Sequence, residues 1–220
     1  MTTLPRRALR ALDRFNTAHP WDHNAHYHRW IMRQLPRHIG RALDVGCGSG
    51  DLARLLATRA DSVTGVDADP DMVVRARERT RPGAPVTFVA ADALTGLPPG
   101  PYDVITCVAT LHHLPFADAL TRFRRHLAPG GTLVVVGLSR PQTLADHVLG
   151  AVAVPANAAM GWFRNGGRPA PRPASMTAAT RPATMGSREV ADEARRVLPG
   201  ARMRRRLFWR YTLVFRRDAV

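Results

Sequence analysis

The residues best suited to chemistry fall in four short stretches: Gly46-Cys47-Gly48-Ser49-Gly50, Asp67-Ala68-Asp69, Ala91-Asp92-Ala93 and Thr110-Leu111-His112-His113. A glycine-rich turn lets backbone approach a ligand closely, and the helix start behind it offers unpaired N–H groups. This turn lacks the Lys-Ser/Thr ending of a triphosphate loop. Its third glycine also comes one residue too early for GxGxxG, which disfavours hydride transfer. Asp67 lies 17 residues beyond Gly50, where a carboxylate can accept hydrogen bonds from a ribose diol. Asp69 reads differently, as the cap of a helix whose first residue is Pro70. His112 and His113 carry the side chain that exchanges protons near neutral pH, and a purely structural loop histidine is the competing reading for each.

These stretches need a frame, and the chain supplies one. Arg41–Val45 predicts a short apolar strand ending at the glycine cluster, and Asp51–Thr58 resumes at helical spacing through Leu52, Leu55 and Leu56. Ser62–Val66, Val86–Val89, Asp103–Cys107 and Thr132–Val136 predict four more strands. Helices are expected over about 70–80 and 116–127, the second stopped by Leu127-Ala128-Pro129-Gly130-Gly131. Strands and helices thus alternate with the short connections of a doubly wound parallel sheet. A ligand belongs beyond the carboxyl ends of those strands, where the four stretches project.

Outside this region the rhythm changes. Leu4–Phe15 and His26–Leu35 read as helices, Thr143–Ala153 as another, Asn165–Met185 as an irregular connection and Glu189–Leu198 as an amphipathic helix. Met203–Trp209 and Tyr211–Phe215 predict two strands at an antiparallel sheet edge, although Arg204-Arg205-Arg206 weakens the alternation. At 220 residues and 24.2 kDa the chain suits one α/β domain.

The net charge of +15 comes from 32 arginines, no lysines and 17 acids. The excess is five over residues 1–40, one over 41–140 and nine over 141–220. A nucleic-acid channel would draw its cations from several parts of a fold, whereas here they flank a nearly neutral centre. The arginines at 202, 204, 205, 206 and 210 suit phosphates or anionic lipid, and equally a charged edge that blocks sheet extension. Leu144–Phe163, interrupted by Asp146, His147, Pro155 and Asn157, falls short of a membrane span but could lie weakly at a membrane surface. Cys47 and Cys107 read as buried fillers of a reduced cytoplasmic protein with no secretory leader, and their spacing offers no metal site.

Five stretches in order carry a resemblance: Leu43–Gly50, Val63–Asp67, Ala91-Asp92-Ala93, Asp103–Cys107 and Leu127–Gly131. Over roughly residues 40–137 the chain resembles the class I S-adenosylmethionine-dependent methyltransferases. Within them it looks most like the small single-domain group of quinone-biosynthesis and small-molecule enzymes. That resemblance implies an α/β, three-layer Rossmann-like fold with a seven-stranded, mostly parallel sheet and an antiparallel C-terminal edge hairpin. It implies one methyltransferase domain over 1–220, with a helical cap at 1–40, a cofactor-binding core at 41–137 and a C-terminal part at 138–220.

Carried over by position, the resemblance places S-adenosylmethionine on the turn Gly46, Cys47, Gly48 and Gly50, its methionine portion near Asp44. Asp67 would hold the ribose, Ala68, Met72, Asp92 and Ala93 the adenine, and Thr110 the sulfonium side. An acid at the end of a buried strand needs a partner, and a cationic amino group supplies one. His112 and His113 become the catalytic candidates near the reaction centre. The segment His19–Trp30 holds four of the nine histidines. In this group such a segment commonly closes over the cofactor, so Trp21, His23, His26, Tyr27 and Trp30 are expected to bind the acceptor in a dry cavity. Aromatic packing of the N-terminal helices is the alternative, and a metal held by His19, His23, His26 and His28 is not expected because Pro20 and Asp22 disturb the geometry.

The expected acceptor is a small, apolar or aromatic molecule. Ala109-Thr110-Leu111-His112 stands where nucleobase-amine methyltransferases carry Asn/Asp-Pro-Pro-aromatic, which argues against a nucleic-acid partner. An RNA or protein acceptor, or a non-catalytic cofactor-binding module, is the alternative. Oligomeric state is not legible.

Overall fold

The computed structural model describes residues 6–177 and 181–219. Residues Leu4 and Pro5 of the expected first helix lie outside the described part, as do 178–180 of the expected irregular connection. The chain runs α1 (Arg6–Ala18), α2 (His23–His26), α3 (His28–Gln34), β1 (Ile39–Val45), α4 (Asp51–Leu56), β2 (Ala60–Asp67), α5 (Pro70–Glu78), β3 (Val86–Ala90) and β4 (Tyr102–Val108). It continues through α6 (Phe116–His126), β5 (Leu127–Leu138), α7 (Leu144–Arg164), α8 (Ser187–Val197), β6 (Arg202–Arg206) and β7 (Arg210–Arg216). The seven strands form one sheet in the order β3-β2-β1-β4-β5-β7-β6. All pairings among β1 to β5 are parallel, and β7 runs antiparallel to both β5 and β6.

The layers follow from the two-residue period of a strand. Leu43 and Val45 of β1, Ile105 of β4 and Leu133 and Val135 of β5 point to one side, where Leu120 and Phe123 of α6 and Val190 and Ala194 of α8 cover them. Ala42, Val104, Val134 and Val136 point to the other, under Ile31 of α3, Leu52 and Leu56 of α4 and Val73 of α5. Burial on both sides explains why the central strands read as unbroken apolar runs. β1 and β4 are neighbours, but the chain leaves β1 toward β2 and leaves β4 toward β5. Connections therefore diverge at the β1/β4 boundary, which opens a crevice at the carboxyl end of the sheet.

The structure departs from the sequence expectations where tertiary contacts outweigh local preference. The expected helix His26–Leu35 is α3, His28–Gln34, and a separate short helix precedes it, because Asp22 caps α2 by accepting from Asn24 N–H and Ala25 N–H and the chain breaks again at Tyr27. β5 begins at Leu127 rather than Thr132, since Leu127 pairs with Tyr102 before the register shifts over Pro129-Gly130-Gly131. The helix expected to end at Ala153 runs on through Pro155 to Arg164. Its inner side holds it: Ala153 is buried, Asn157 accepts a hydrogen bond from Trp21 Nε1 at 3.0 Å, and a Cβ on Gly161 would meet the His19 carbonyl at 2.4 Å.

The strand expected over Met203–Trp209 stops at Arg206, since Phe208 and Trp209 turn with φ of 60° and 58°. Left-handed backbone at two aromatic residues is unfavourable by itself. It persists because Phe208 is buried against Trp21, with ring centroids 4.7 Å apart. Among the described residues no helix is long and apolar enough to cross a membrane.

Tyr27 shows how the N-terminal segment is fastened. Its hydroxyl donates to the Leu207 carbonyl at 2.6 Å, across 180 residues of sequence. Tyr27→Phe removes that bond while keeping the buried ring. It should therefore lower the unfolding free energy by about 1 kcal/mol in a urea titration and leave ligand affinity at the crevice unchanged.

Candidate functional site

The crevice holds a cavity of 530 Å³ whose floor is the turn after β1. Gly46 and Cys47 donate their N–H groups to the Val66 carbonyl, at 2.7 and 3.0 Å, which pins the turn to β2. Gly46 sits at φ 71°, and a Cβ there would collide with Thr110 Oγ1 at 1.8 Å, so only glycine lets the loops after β1 and β4 come together. Gly48, at φ 50°, faces open space, and its N–H donates to Asp67 Oδ2 at 2.7 Å. Asp67 Oδ1 accepts from Asp69 N–H at 3.0 Å, so the carboxylate is held at the mouth of the turn from both sides. Asp69 itself caps α5 by accepting from Asp71 N–H.

Asp44, Gly46, Cys47, Gly48, Asp67, Ala68, Met72, Asp92, Ala93 and Thr110 all line this cavity. Of the eleven residues expected at the cofactor, Gly50 alone does not: it caps α4 and lies against Phe88, one step behind the lining. Met72 is buried, and its flexible thioether forms part of the wall beside Asp92 and Ala93. Asp92 Oδ1 accepts from Leu94 N–H and Thr95 N–H, and these bonds hold its carboxyl below the usual range and keep it ionised. Ala109, also in the wall, has φ 51° and donates its N–H to the Val136 carbonyl at 2.7 Å. Left-handed backbone on a residue with a Cβ is concentrated at sites that other contacts over-determine.

Asp44 is the electrostatic centre of the cavity. It is 2% exposed and accepts a hydrogen bond from Thr106 Oγ1 at 2.7 Å. Burial pushes its pKa up to about 7, the Thr106 bond pulls it down, and the nearby Asp67 charge adds to the rise. An anion under such strain is eased by a cation, so the donor set here suits a ligand that brings a positive amino group. Vicinal hydroxyls suit Asp67, and an apolar ring suits the Met72 wall. The open side of Gly48 leaves room for backbone contact with the ligand. The residues therefore fit an aminoacyl nucleoside such as S-adenosylmethionine.

The N-terminal segment reaches the cavity through residues other than those expected. Asp22, Asn24 and His28 line it, while Trp21, His23, His26, Tyr27 and Trp30 do not. Trp21 is buried against Phe208 and His23, and His23 Nε2 lies 2.6 Å from Asn157 Oδ1. His26 packs edge-on against Trp21 and Phe208, and Arg206 stacks over Trp30. These five fasten the segment to α7 and the β6–β7 turn, in the manner of the packing alternative. The break between the helices accounts for the reversal: Asp22 and Asn24 belong to the start of α2 and His28 opens α3 beyond Tyr27, and these three reach the cavity while the aromatic residues between and beside them pack on α7 and the edge hairpin. Burial holds the pKa of His23, His26 and His28 down, which favours their neutral rings. Among the described residues no group of three or more His, Cys, Asp or Glu is placed to hold a metal ion.

His112 and His113, in a short 3-10 turn after β4, stack with centroids 4.0 Å apart but face different spaces. His113 lines the large cavity, together with Arg181 and Ser175 from the segment before α8, which sequence reasoning did not single out. His112 lines a second, smaller cavity of 230 Å³ whose other walls include Leu114, Phe116, Leu138, Met185 and Tyr211. Leu114 borders both spaces. His112 Nδ1 is buried without a hydrogen-bond partner, and burial, with His113 and Arg210 nearby, pushes its pKa down to about 4. Burial, with Arg181 beside it, lowers that of His113 too.

Comparison with known proteins agrees with this geometry. Residues 42–131 match the family described as "Methyltransferase domain". The chain is 34% identical over 203 residues to an uncharacterized methyltransferase of Mycobacterium tuberculosis, covering 90% of this chain and 97% of that protein. It is 42% identical over 106 residues to a trans-aconitate 2-methyltransferase of Streptomyces avermitilis, covering 46% of this chain and 39% of the other. The fold is that of the N-methyltransferase NodS of Bradyrhizobium japonicum, solved with S-adenosyl-L-homocysteine. The TM-score is 0.59 at 20% identity, over 94% of this chain and 97% of the other.

The buried Asp44 predicts a pH signature. Its folded-state pKa stands above the ordinary 3.8, so the folded chain holds a proton that the unfolded chain has released. That contribution to stability is complete below pH 3.8 and is lost as pH rises to about 7. Urea unfolding of the ligand-free protein should lose on the order of a few kcal/mol across this window relative to Asp44→Asn, whose profile should be flatter.

Proposed function

Because the chain belongs to the class I S-adenosylmethionine-dependent methyltransferases, we propose that it methylates a small, mainly apolar or aromatic acceptor, with 1–220 acting as one methyltransferase domain. S-adenosylmethionine is its cofactor, and when bound it supplies an electrophilic methyl group on a positively charged sulfur. The single observation that carries the acceptor class is the second cavity, walled in part by Leu114, Phe116, Leu138 and Met185 and next to the first, with which it shares Leu114 as a wall. The names of the methyltransferase relatives that act on trans-aconitate or in ubiquinone biosynthesis support a small-molecule acceptor in general.

The proposed roles follow from placement. Asp44 and the open backbone at Gly48 receive the amino-acid end of the cofactor, Asp67 the ribose, and Met72, Ala68, Asp92 and Ala93 the adenine. Thr110, wedged against Gly46, sets the distance between the donor end of the cavity and the acceptor wall. The acceptor lies between His113 and the apolar pocket, and the apolar walls of that pocket exclude water from the transfer. Methylation of an acceptor O–H, N–H or C–H would break the methyl–sulfur bond of the bound cofactor, leaving a neutral thioether, and would leave the acceptor with a proton to lose. A neutral histidine can take that proton, and burial keeps both His112 and His113 neutral at pH 7. A methyl group that is already activated needs little else beyond alignment. A cytoplasmic location is proposed with this activity, since buried, unpaired Cys47 and Cys107 suit a reducing compartment.

Calorimetry with S-adenosylhomocysteine tests the cofactor site. Asp67→Ala should weaken binding roughly tenfold or more, and an unchanged affinity would remove the carboxylate from its assigned role. Product mass spectrometry after incubation with labelled S-adenosylmethionine and a native metabolite extract tests the acceptor. The labelled product should be a small apolar or aromatic compound, and label on RNA or protein alone would overturn the reading. With that acceptor in hand, His113→Ala should reduce turnover about a hundredfold or more with little change in cofactor affinity.

A further inference from the structure

We infer that the outer side of α7 is a docking surface for an anionic lipid bilayer, a role separate from the methyl-transfer site. α7 has 21 residues, which makes it about 30 Å long. Leu144, Val148, Val152, Ala159, Trp162 and Phe163 fall within one stripe at helical spacing and are all exposed to solvent. Leu144 is 81% exposed and Phe163 76%, values far outside what a packed helix shows. Five of the eight large exposed apolar side chains among the described residues belong to this one helix.

The helix cannot roll to hide them. Ala153 and Gly161 are buried on the opposite side, Asn157 is bonded to Trp21, His23 and Asn16, and Asn165 Nδ2 donates to the Pro20 carbonyl just past the C-terminus. The one acid on the helix, Asp146, is nearly buried and paired with Arg205 at 3.0 Å. Nothing anionic therefore interrupts the stripe.

Charge selects the occupant. Arg7, Arg10 and Arg14 are exposed on α1, which packs against α7, and Arg164, Arg168 and Arg172 are exposed at and beyond the α7 C-terminus. Asp13 is the only exposed acid in these two helices. An apolar stripe carrying Trp162 and Phe163 at one end, with exposed Arg164, Arg168 and Arg172 at and just beyond that end, matches the acyl boundary and the headgroups of an anionic leaflet at the same time. A nucleic acid would meet the arginines and leave the stripe in water. A second copy seated on the same stripe would bring two arginine flanks together.

Vesicle co-sedimentation of the full-length chain tests this. Binding to phosphatidylcholine vesicles that contain phosphatidylglycerol should exceed binding to pure phosphatidylcholine at least about tenfold and fall as salt is raised. The double variant Trp162→Ser, Phe163→Ser should lose about tenfold or more of that binding while keeping its S-adenosylhomocysteine affinity and its unfolding transition. Arg168→Gln with Arg172→Gln provides a second arm that leaves the helix intact, and it should flatten the salt dependence and weaken binding several-fold. Equal partition onto neutral and anionic vesicles, absence of binding to both, or unchanged binding by the arginine variant would overturn the inference. So would sedimentation equilibrium showing a dimer that Trp162→Ser, Phe163→Ser converts to monomer, since the stripe would then be a subunit interface.

Discussion

The contact between Thr110 and the bare backbone of Gly46 is the constraint on which the site depends. β1 and β4 are parallel neighbours whose continuing chains part in opposite directions, and the space between them becomes a cavity only if their loops can approach. A side chain at position 46 would hold the two loops apart. It would also pull the turn away from the Val66 carbonyl, which Gly46 and Cys47 both use. With that approach made, Asp44, Asp67 and Asp92, at or just beyond the ends of three different strands, face one space although 48 residues of sequence separate the first from the last. The chemistry of the cavity is thus a product of sheet order more than of any single motif.

A second constraint governs what closes over that space. Trp21 is buried where the N-terminal segment, α7 and the β6–β7 turn meet, and each of the three adopts a locally costly form there. α7 accepts a proline in its interior, the turn accepts two aromatic residues with left-handed φ, and the segment breaks into two short helices. Burial of a large indole with a satisfied N–H offsets such costs. The consequence for function is directional: with Trp21, His23 and His26 turned toward α7, the segment presents Asp22, Asn24 and His28 to the cavity. The face of the segment that meets the cavity is consequently polar, and the apolar walls of the neighbouring space lie on the other side, after β4 and before α8.

The charge of the chain also acquires a location. The balanced centre, residues 41–140, supplies nearly all of the cavity, and within it the carboxylates of Asp44, Asp67 and Asp92 outnumber the arginines that line the wall. That is suited to a cationic ligand. The basic excess instead lies on α1, on the segment after α7 and on the edge hairpin, where it flanks apolar surface. The two ends of the chain thus differ in charge from the centre, and a single net charge of +15 conceals the difference.

Much of this was legible along the chain because it depends on local rules. A strand buried on both sides needs an unbroken apolar run, a turn with positive φ needs glycine, and a helix beginning at Pro70 needs Asp69. The parallel sheet and the edge strands could be read on those grounds, while the eleven residues expected around the glycine turn, ten of which line the cavity, came from the family resemblance carried over by position. Helical phase in the His19–Trp30 segment could not be read, since which side faces the cavity depends on where α7 passes, more than a hundred residues later. The division of His112 from His113 is of the same kind: their rings lie 4.0 Å apart yet line different spaces, which are built in part by Arg181, Met185 and Tyr211 from the far end of the chain. The sequence by itself determined the order of elements and the strand ends that open on the cavity, because backbone geometry and burial act over a few residues. Only the tertiary structure decided which aromatic residues anchor and which polar ones face the ligand, because that choice is made by contacts between segments that the sequence keeps far apart.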